Sequence, residues 1–214
     1  MKEKFVSIAV FTALAYLLPL AGRPDLIATP HMAILLLATV VIFATQPPIR
    51  LTDVAADQRR DKNSVLFILF GFLAAQAAGV IEWAYAGTVH VWALDGWTVA
   101  GLAVLAGGTW LRVWSIRLLG RYFTATVKTQ DDQQVIRHGP YALVRHPSYL
   151  GALLASLGSA LLLHAPAAFL FALAVLLAAY WYRIRVEETA LVAQLGEAYV
   201  RYQQETKRLI PFLY

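Results

Sequence analysis

Six apolar runs constrain this chain more than any other feature. They cover about residues 5–20, 31–46, 64–85, 97–116, 148–164 and 166–183. A helix needs roughly 20 apolar residues to cross a bilayer core, with about 17–25 usable. The runs are continuous and lack period-two alternation, which argues against a barrel. The expectation is an all-α, polytopic membrane helix bundle of about six transmembrane helices. The second and fifth runs are short, so a tilted or partly re-entrant hairpin could reduce the count to five. Composition agrees: 59% of the 214 residues are hydrophobic and 14% charged, against about 25% charged in soluble domains. The first run follows Lys2 and Lys4 but has no clean small-residue cleavage site, so it reads as a retained helix. With no cysteine present, disulfides, thiolate metal sites and a cysteine nucleophile are excluded.

The net charge of +5 is explained by its distribution. Six spans leave residues 1–4, 47–63, 117–147 and 184–214 on one side. Counting helix-end residues with their nearest loop, that side holds 17 of the 18 lysines and arginines, and only Arg23 falls opposite. The positive-inside rule then makes both termini and both long loops cytoplasmic, in an integral, multi-pass protein. The excess charge suits anionic lipid, so membrane lipids are expected partners and nucleic acid is not. No obligate protein partner is evident. Gly71, Ala75 and Gly79 recur every four residues, as do Gly151, Ala155 and Ser159, a spacing that lets helices approach closely.

Zinc-protease, Walker, dinucleotide and nucleophile-elbow motifs are all missing. His31, His90 and His164 fall at span ends or in turns, and His138 and His146 lack a carboxylate pattern, so no metal site is expected. The segment Gly139-Pro-Tyr-Ala-Leu-Val-Arg-His-Pro-Ser-Tyr-Leu-Gly151 is different. Gly139-Pro140 signals a turn, and Pro147 marks a helix start. A plain anchor has no need for this concentration of donors at a helix N-terminus, a place that favours anionic groups. Apolar residues such as Val127, Val135 and Tyr149 run through the 117–151 loop and indicate that it is packed. A second polar cluster, Arg183-Ile-Arg-Val-Glu-Glu188, follows the last run. Arg183 and Glu187 share a helical face. An interfacial ion pair with snorkelling arginines explains them as well as a site does. Residues 187–214 read as a surface helix whose last residues tuck back against the membrane.

These motifs together resemble one family. G-P-Y-x-x-x-R-H-P-x-Y-x-G, an apolar hairpin, R-x-x-x-E-E and Gly196-Glu-Ala-Tyr-Val-Arg-Tyr202 are similar to the isoprenylcysteine carboxyl methyltransferases, which are related to the phospholipid methyltransferases. The match covers about residues 121–214. It implies N-terminal transmembrane helices over 1–116 and a catalytic region over 117–214, made of a cytoplasmic cofactor-binding loop, a transmembrane hairpin and the C-terminal surface helix. The resemblance implies S-adenosyl-L-methionine as cofactor, with S-adenosyl-L-homocysteine as product. The acceptor would be a lipidic small molecule or prenylated group whose carboxylate becomes a methyl ester. The cofactor-binding residues would be Val127, Lys128, Gln133, Val135, Gly139, Tyr141, Arg145, His146, Pro147, Tyr149 and Glu187. Arg183 would hold the acceptor, and Glu188 would orient Arg183 or a bound group. A lipid-amine N-methyltransferase is the alternative, with Glu188 as base. A sterol-type NADPH reductase and a non-enzymatic membrane protein are the remaining readings.

Overall fold

The computed structural model describes residues 2–47, 63–87, 90–124 and 134–211. Every apolar run is helical. α1 (Lys2–Thr12) passes into a π-turn at Ala13–Leu17, and α2 spans Pro30–Thr45. α3 (Ser64–Ile81) ends in a second π-turn, Glu82–Ala86, and α4 spans Gly96–Leu119. α5 (Pro147–Leu162) and α6 (Pro166–Leu195) form the hairpin, and α7 (Glu197–Glu205) follows. Ser64–Ala86, Gly96–Tyr122 and Pro166–Leu195 are long and apolar enough to cross a membrane, while α2 and α5 are shorter apolar helices. The two short elements are those whose runs fell short in the sequence.

Local chemistry fixes the helix ends. Proline occupies the first position of α2, α5 and α6, where its missing N–H costs nothing. The Asp95 side chain caps α4 by accepting from the Thr98 amide at 2.8 Å, and its other oxygen meets His164 Nε2 at 2.8 Å. Glu82 reaches across from the end of α3 to cap α6, accepting from the amides of Ala167 at 3.1 Å and Ala168 at 2.6 Å. A carboxylate there meets the free N–H groups and the positive end of the helix dipole.

α4 and α5 pack backbone against backbone. A Cβ on Gly151 would lie 2.6 Å from the Arg112 amide nitrogen and 2.7 Å from the Gly108 carbonyl oxygen. Only glycine permits that approach, and it brings the second half of α4 onto the start of α5. Two apolar cores result. One, around Tyr16, Leu35, Trp83 and Leu162, fills the end of the bundle away from the basic loops. The other, around Leu153, Leu176, Tyr180 and Ile184, lies nearer the basic end.

The C-terminal region differs from expectation in two ways. α6 does not give way to a separate surface helix at residue 187 but runs on to Leu195, because a helix leaving the apolar layer can continue with polar residues. It stops at Gly196, whose φ of +55° suits glycine. The tail then turns inward rather than against lipid: Leu209 is buried in the second core.

Candidate active site

The site begins where the 139–147 loop meets α6 and the tail. Gly139, at φ +61°, packs its Cα against Trp114 and Leu118 of α4, where a Cβ would come within 2.7 Å of Leu118. Tyr141 is buried, donates to the Ser115 carbonyl at 3.2 Å, and its own carbonyl accepts from Tyr202 Oη at 2.7 Å. Burial pushes both phenols up, so each stays a neutral donor. The tail runs beside this loop: the amides of Arg145 and His146 donate to the carbonyls of Lys207 (2.8 Å) and Arg208 (3.0 Å).

Glu188 ties these pieces together. Its side chain is 5% exposed. One oxygen accepts from Arg145 Nε at 2.6 Å and lies 3.4 Å from His146 Nε2. The other accepts from Gln203 at 3.2 Å and Arg208 at 3.1 Å. Arg145 also donates to the Gln203 and Thr206 carbonyls. One carboxylate thus joins the motif loop, α6, α7 and the tail. Among the described residues no hydrogen bond joins Glu188 to Arg183; the sequence expectation is that it orients Arg183 or a bound group.

Glu187 takes that place. It accepts from Tyr149 Oη at 2.6 Å and lies 3.7 Å from Arg183 Nε, the pairing four residues apart that helical periodicity predicted. Arg183 is buried, donates to Tyr149 Oη at 3.2 Å and reaches Ser64 Oγ on α3 at 2.9 Å. His146, Tyr149 and Tyr180 form a stacked tier, with centroids 5.5 and 5.0 Å apart. Pro147 starts α5 and is buried. Val135 is half-buried and leads into the loop. Val127, Lys128 and Gln133 lie outside the described residues. The motif residues are therefore brought together in two clusters. Arg145, His146 and Glu188 form one; Tyr149, Arg183 and Glu187 form the other.

Arg112 is the residue that sequence reasoning missed. It had served only to set topology, although it lies two turns inside α4. It donates to the Ser148 carbonyl at 3.1 Å and to Gln46 Oε1 at 2.6 Å, and its Nε has no hydrogen-bond partner among the described residues. A charge within an apolar helix is itself a signal of function. A cavity of about 80 Å³ is lined by Arg112, Arg183, Tyr149, Gln46, Phe123 and Thr124. It shares Arg112, Gln46 and Tyr149 with a second, mostly apolar cavity of about 110 Å³ that extends into the bundle past Phe43, Leu69 and Phe72.

Residues 99–193 match the model of the isoprenylcysteine carboxyl methyltransferase (ICMT) family. The matched segment is a little under half of the chain, and over it the chain is similar to this family. The ICMT match begins earlier than the sequence motifs and takes in most of α4, Arg112 included. The chain is 33% identical over 118 residues to the protein-S-isoprenylcysteine O-methyltransferase of Saccharomyces cerevisiae, covering 54% of this chain and 49% of that protein. It is 36% identical over 118 residues to the corresponding protein of Tribolium castaneum, covering 53% of this chain and 41% of that one. It thus spans about half the length of these relatives. A solved eukaryotic intramembrane Ras methyltransferase ICMT shares the fold, with a TM-score of 0.56 at 24% identity over 98% of this chain and 75% of that one.

Proposed function

We propose that this chain is a member of the ICMT family and an S-adenosylmethionine-dependent methyltransferase that esterifies the carboxylate of a lipidic, isoprenylcysteine-like acceptor. The observation that carries this reading is the placement of Arg112 and Arg183 at the polar mouth of an otherwise apolar intramembrane cavity. Two cations beside an apolar recess suit one kind of molecule: an acid with a hydrocarbon tail. A charge-assisted bond from a guanidinium to a carboxylate is strong and can be bidentate. The unpartnered Nε of Arg112 supplies a donor for it.

The cofactor supplies an electrophilic methyl group on a sulfonium. The acceptor oxygen forms the new C–O bond as the S–CH3 bond breaks, the electron pair stays on sulfur as the thioether product, and no proton moves. An acceptor carboxylate with a pKa near 3.5 is already ionised at neutral pH, so no general base is needed. The chain's own work is then positioning. Arg183, held by Tyr149 and Ser64, and Arg112, held by Ser148 and Gln46, orient the carboxylate. Glu187 offers an anion, which suits a sulfonium, and the stacked rings of His146 and Tyr180 hold Tyr149 beside it. His146, Tyr149 and Glu187, with Val127, Lys128, Gln133 and Val135 of the preceding loop, would hold the cofactor. Gly139, Tyr141, Arg145, Pro147 and Glu188 form the frame. The site would face the cytoplasm, because the basic residues gather at that end.

An amine acceptor fits less well. It would need a free base, yet Glu188 is engaged by four side chains and the cavity mouth is cationic. The test is transfer of radiolabelled methyl from S-adenosylmethionine to N-acetyl-S-farnesylcysteine. The expected product is base-labile, as an ester is; a base-stable product would overturn the carboxylate assignment. Arg183→Ala should retain S-adenosylhomocysteine binding while turnover falls about 100-fold or more, as for loss of one preorganised donor. Loss of S-adenosylhomocysteine binding instead would move Arg183 to the cofactor side.

A further inference from the structure

The apolar cavity has a built floor, and the floor comes from a helix defect. None of the residues of α1 is buried. The π-turn that follows, closed by the Leu18 amide bonding to the Ala13 carbonyl at 2.8 Å, brings Ala15 and Tyr16 into the core. One extra residue in the turn rotates the chain, and Tyr16 swings inward. Such π-turns inside helices are often found at functional sites. The Tyr16 ring lines the cavity together with Leu35 and Ser159, and Tyr16 and Leu35 belong to the core around Trp83 and Leu162 rather than to the one around Tyr180. Its hydroxyl meets Thr39 Oγ1 of α2 at 2.8 Å, and both residues are buried. The ring also sits edge-on to Phe11, with centroids 6.1 Å apart. The phenol's polar end is therefore satisfied by the wall, and its ring is pinned. Leu20, Trp83 and Leu162 of the same core are fully buried and are not among the residues that line the cavity.

The depth follows from α5, whose Tyr149 and Ser159 line its two ends. Ten residues at 1.5 Å each give about 15 Å, about half the hydrocarbon thickness of a bilayer. A tail entering from one leaflet would lie in the cavity at the depth it had in the lipid.

We propose that Tyr16, held across the cavity by Thr39, is the gauge that sets the length of acceptor tail this enzyme takes. This rests on reading the cavity as the site of the acceptor's tail. Tyr16 makes no contact with the motif clusters and lies outside the residues matched by the family model, so it acts on specificity alone.

The test uses N-acetylcysteine thioethers carrying two, three or four isoprene units. Both kcat/KM for methylation and calorimetric binding in the presence of S-adenosylhomocysteine are measured, on variants shown to be folded by thermal unfolding. Tyr16→Ala should raise the ratio of the four-unit to the three-unit acceptor about tenfold or more, since even one methylene in an apolar pocket is worth that much. Ser159→Leu fills the floor from α5 and should lower the ratio. If Tyr16→Ala does not fold, Leu35→Ala opens the same floor from α2 and should raise it. S-adenosylhomocysteine affinity should not move in any of them. Ratios unchanged in the enlarging and the filling variant alike, with ester still formed, would overturn the gauge and leave the proposed reaction standing. Wild-type protein that binds the thioethers but forms no ester would sink the reaction, and the binding ratios would still decide the gauge.

Discussion

Glu187 and Glu188 are adjacent, and the sequence does not separate their roles. Their surroundings predict opposite phenotypes. Replacing Glu188 with alanine leaves Arg145 buried without its carboxylate and removes the acceptor for Gln203 and Arg208. Breaking a buried ion pair by deleting one partner costs about 3–5 kcal/mol. At roughly 2–4 °C per kcal/mol for a chain of this size, the melting temperature should fall by about 6–20 °C. Glu187 differs in kind. Its side chain is 29% exposed, and its loss removes one hydrogen bond from Tyr149 and a looser 3.7 Å pairing with Arg183, which keeps Tyr149 and Ser64 as partners. That costs about 1 kcal/mol. Glu187→Ala should therefore melt within a few degrees of wild type while weakening S-adenosylhomocysteine binding. The assay is thermal unfolding in detergent together with calorimetry of S-adenosylhomocysteine. Glu187→Ala melting lower than Glu188→Ala would refute the reasoning. So would a Glu188→Ala protein of wild-type stability.

Two further outcomes test the frame. Gly151→Ala forces α4 and α5 apart at Arg112 and should cost about 1–3 kcal/mol by overpacking; Gly107→Ala on the lipid-facing side of α4, where an added Cβ meets nothing within 4 Å, should not destabilise. At the opposite end, the hydrogen bond from the Thr98 amide, followed by that from His164, lowers the Asp95 carboxyl to about 2. A depressed carboxylate stabilises the fold above its unfolded pKa of about 3.9. That contribution is lost as pH falls through about 2, so Asp95→Asn should flatten the acid limb of a stability–pH curve between those values. An acid limb identical to wild type would remove Asp95 from the account.

The six helices were legible because uninterrupted apolar runs have one physical solution in lipid. The Arg183–Glu187 pair was legible because helical periodicity is local. What stayed hidden depended on residues far apart in the chain. The partners of Glu188 lie 43, 15 and 20 residues away, on a loop, on α7 and in the tail. The sixth run and the surface helix after it read as two elements, yet charge ends an apolar layer, not a helix, and α6 is continuous to Leu195. Arg112 was visible but was spent on counting sides. Its meaning arises only where α4 touches α5 through Gly108 and Gly151.

The division of labour between the halves has a physical cause. Orienting a carboxylate depends on single atoms held to fractions of an ångström, and Arg112, Tyr149, Arg183 and Glu187 all lie within the family-matched residues 99–193. Enclosing a hydrocarbon tail depends only on shape and apolarity, which many side-chain combinations satisfy. Phe11, Tyr16, Leu35, Phe43, Leu69 and Phe72, which build that enclosure, all lie outside the matched segment. On the proposed reading, the groups that would hold the carboxylate lie in the half that resembles the relatives. The enclosure proposed for the acceptor's tail lies outside the matched segment, and there the π-turn at Ala13–Leu17 places Tyr16 in its lining.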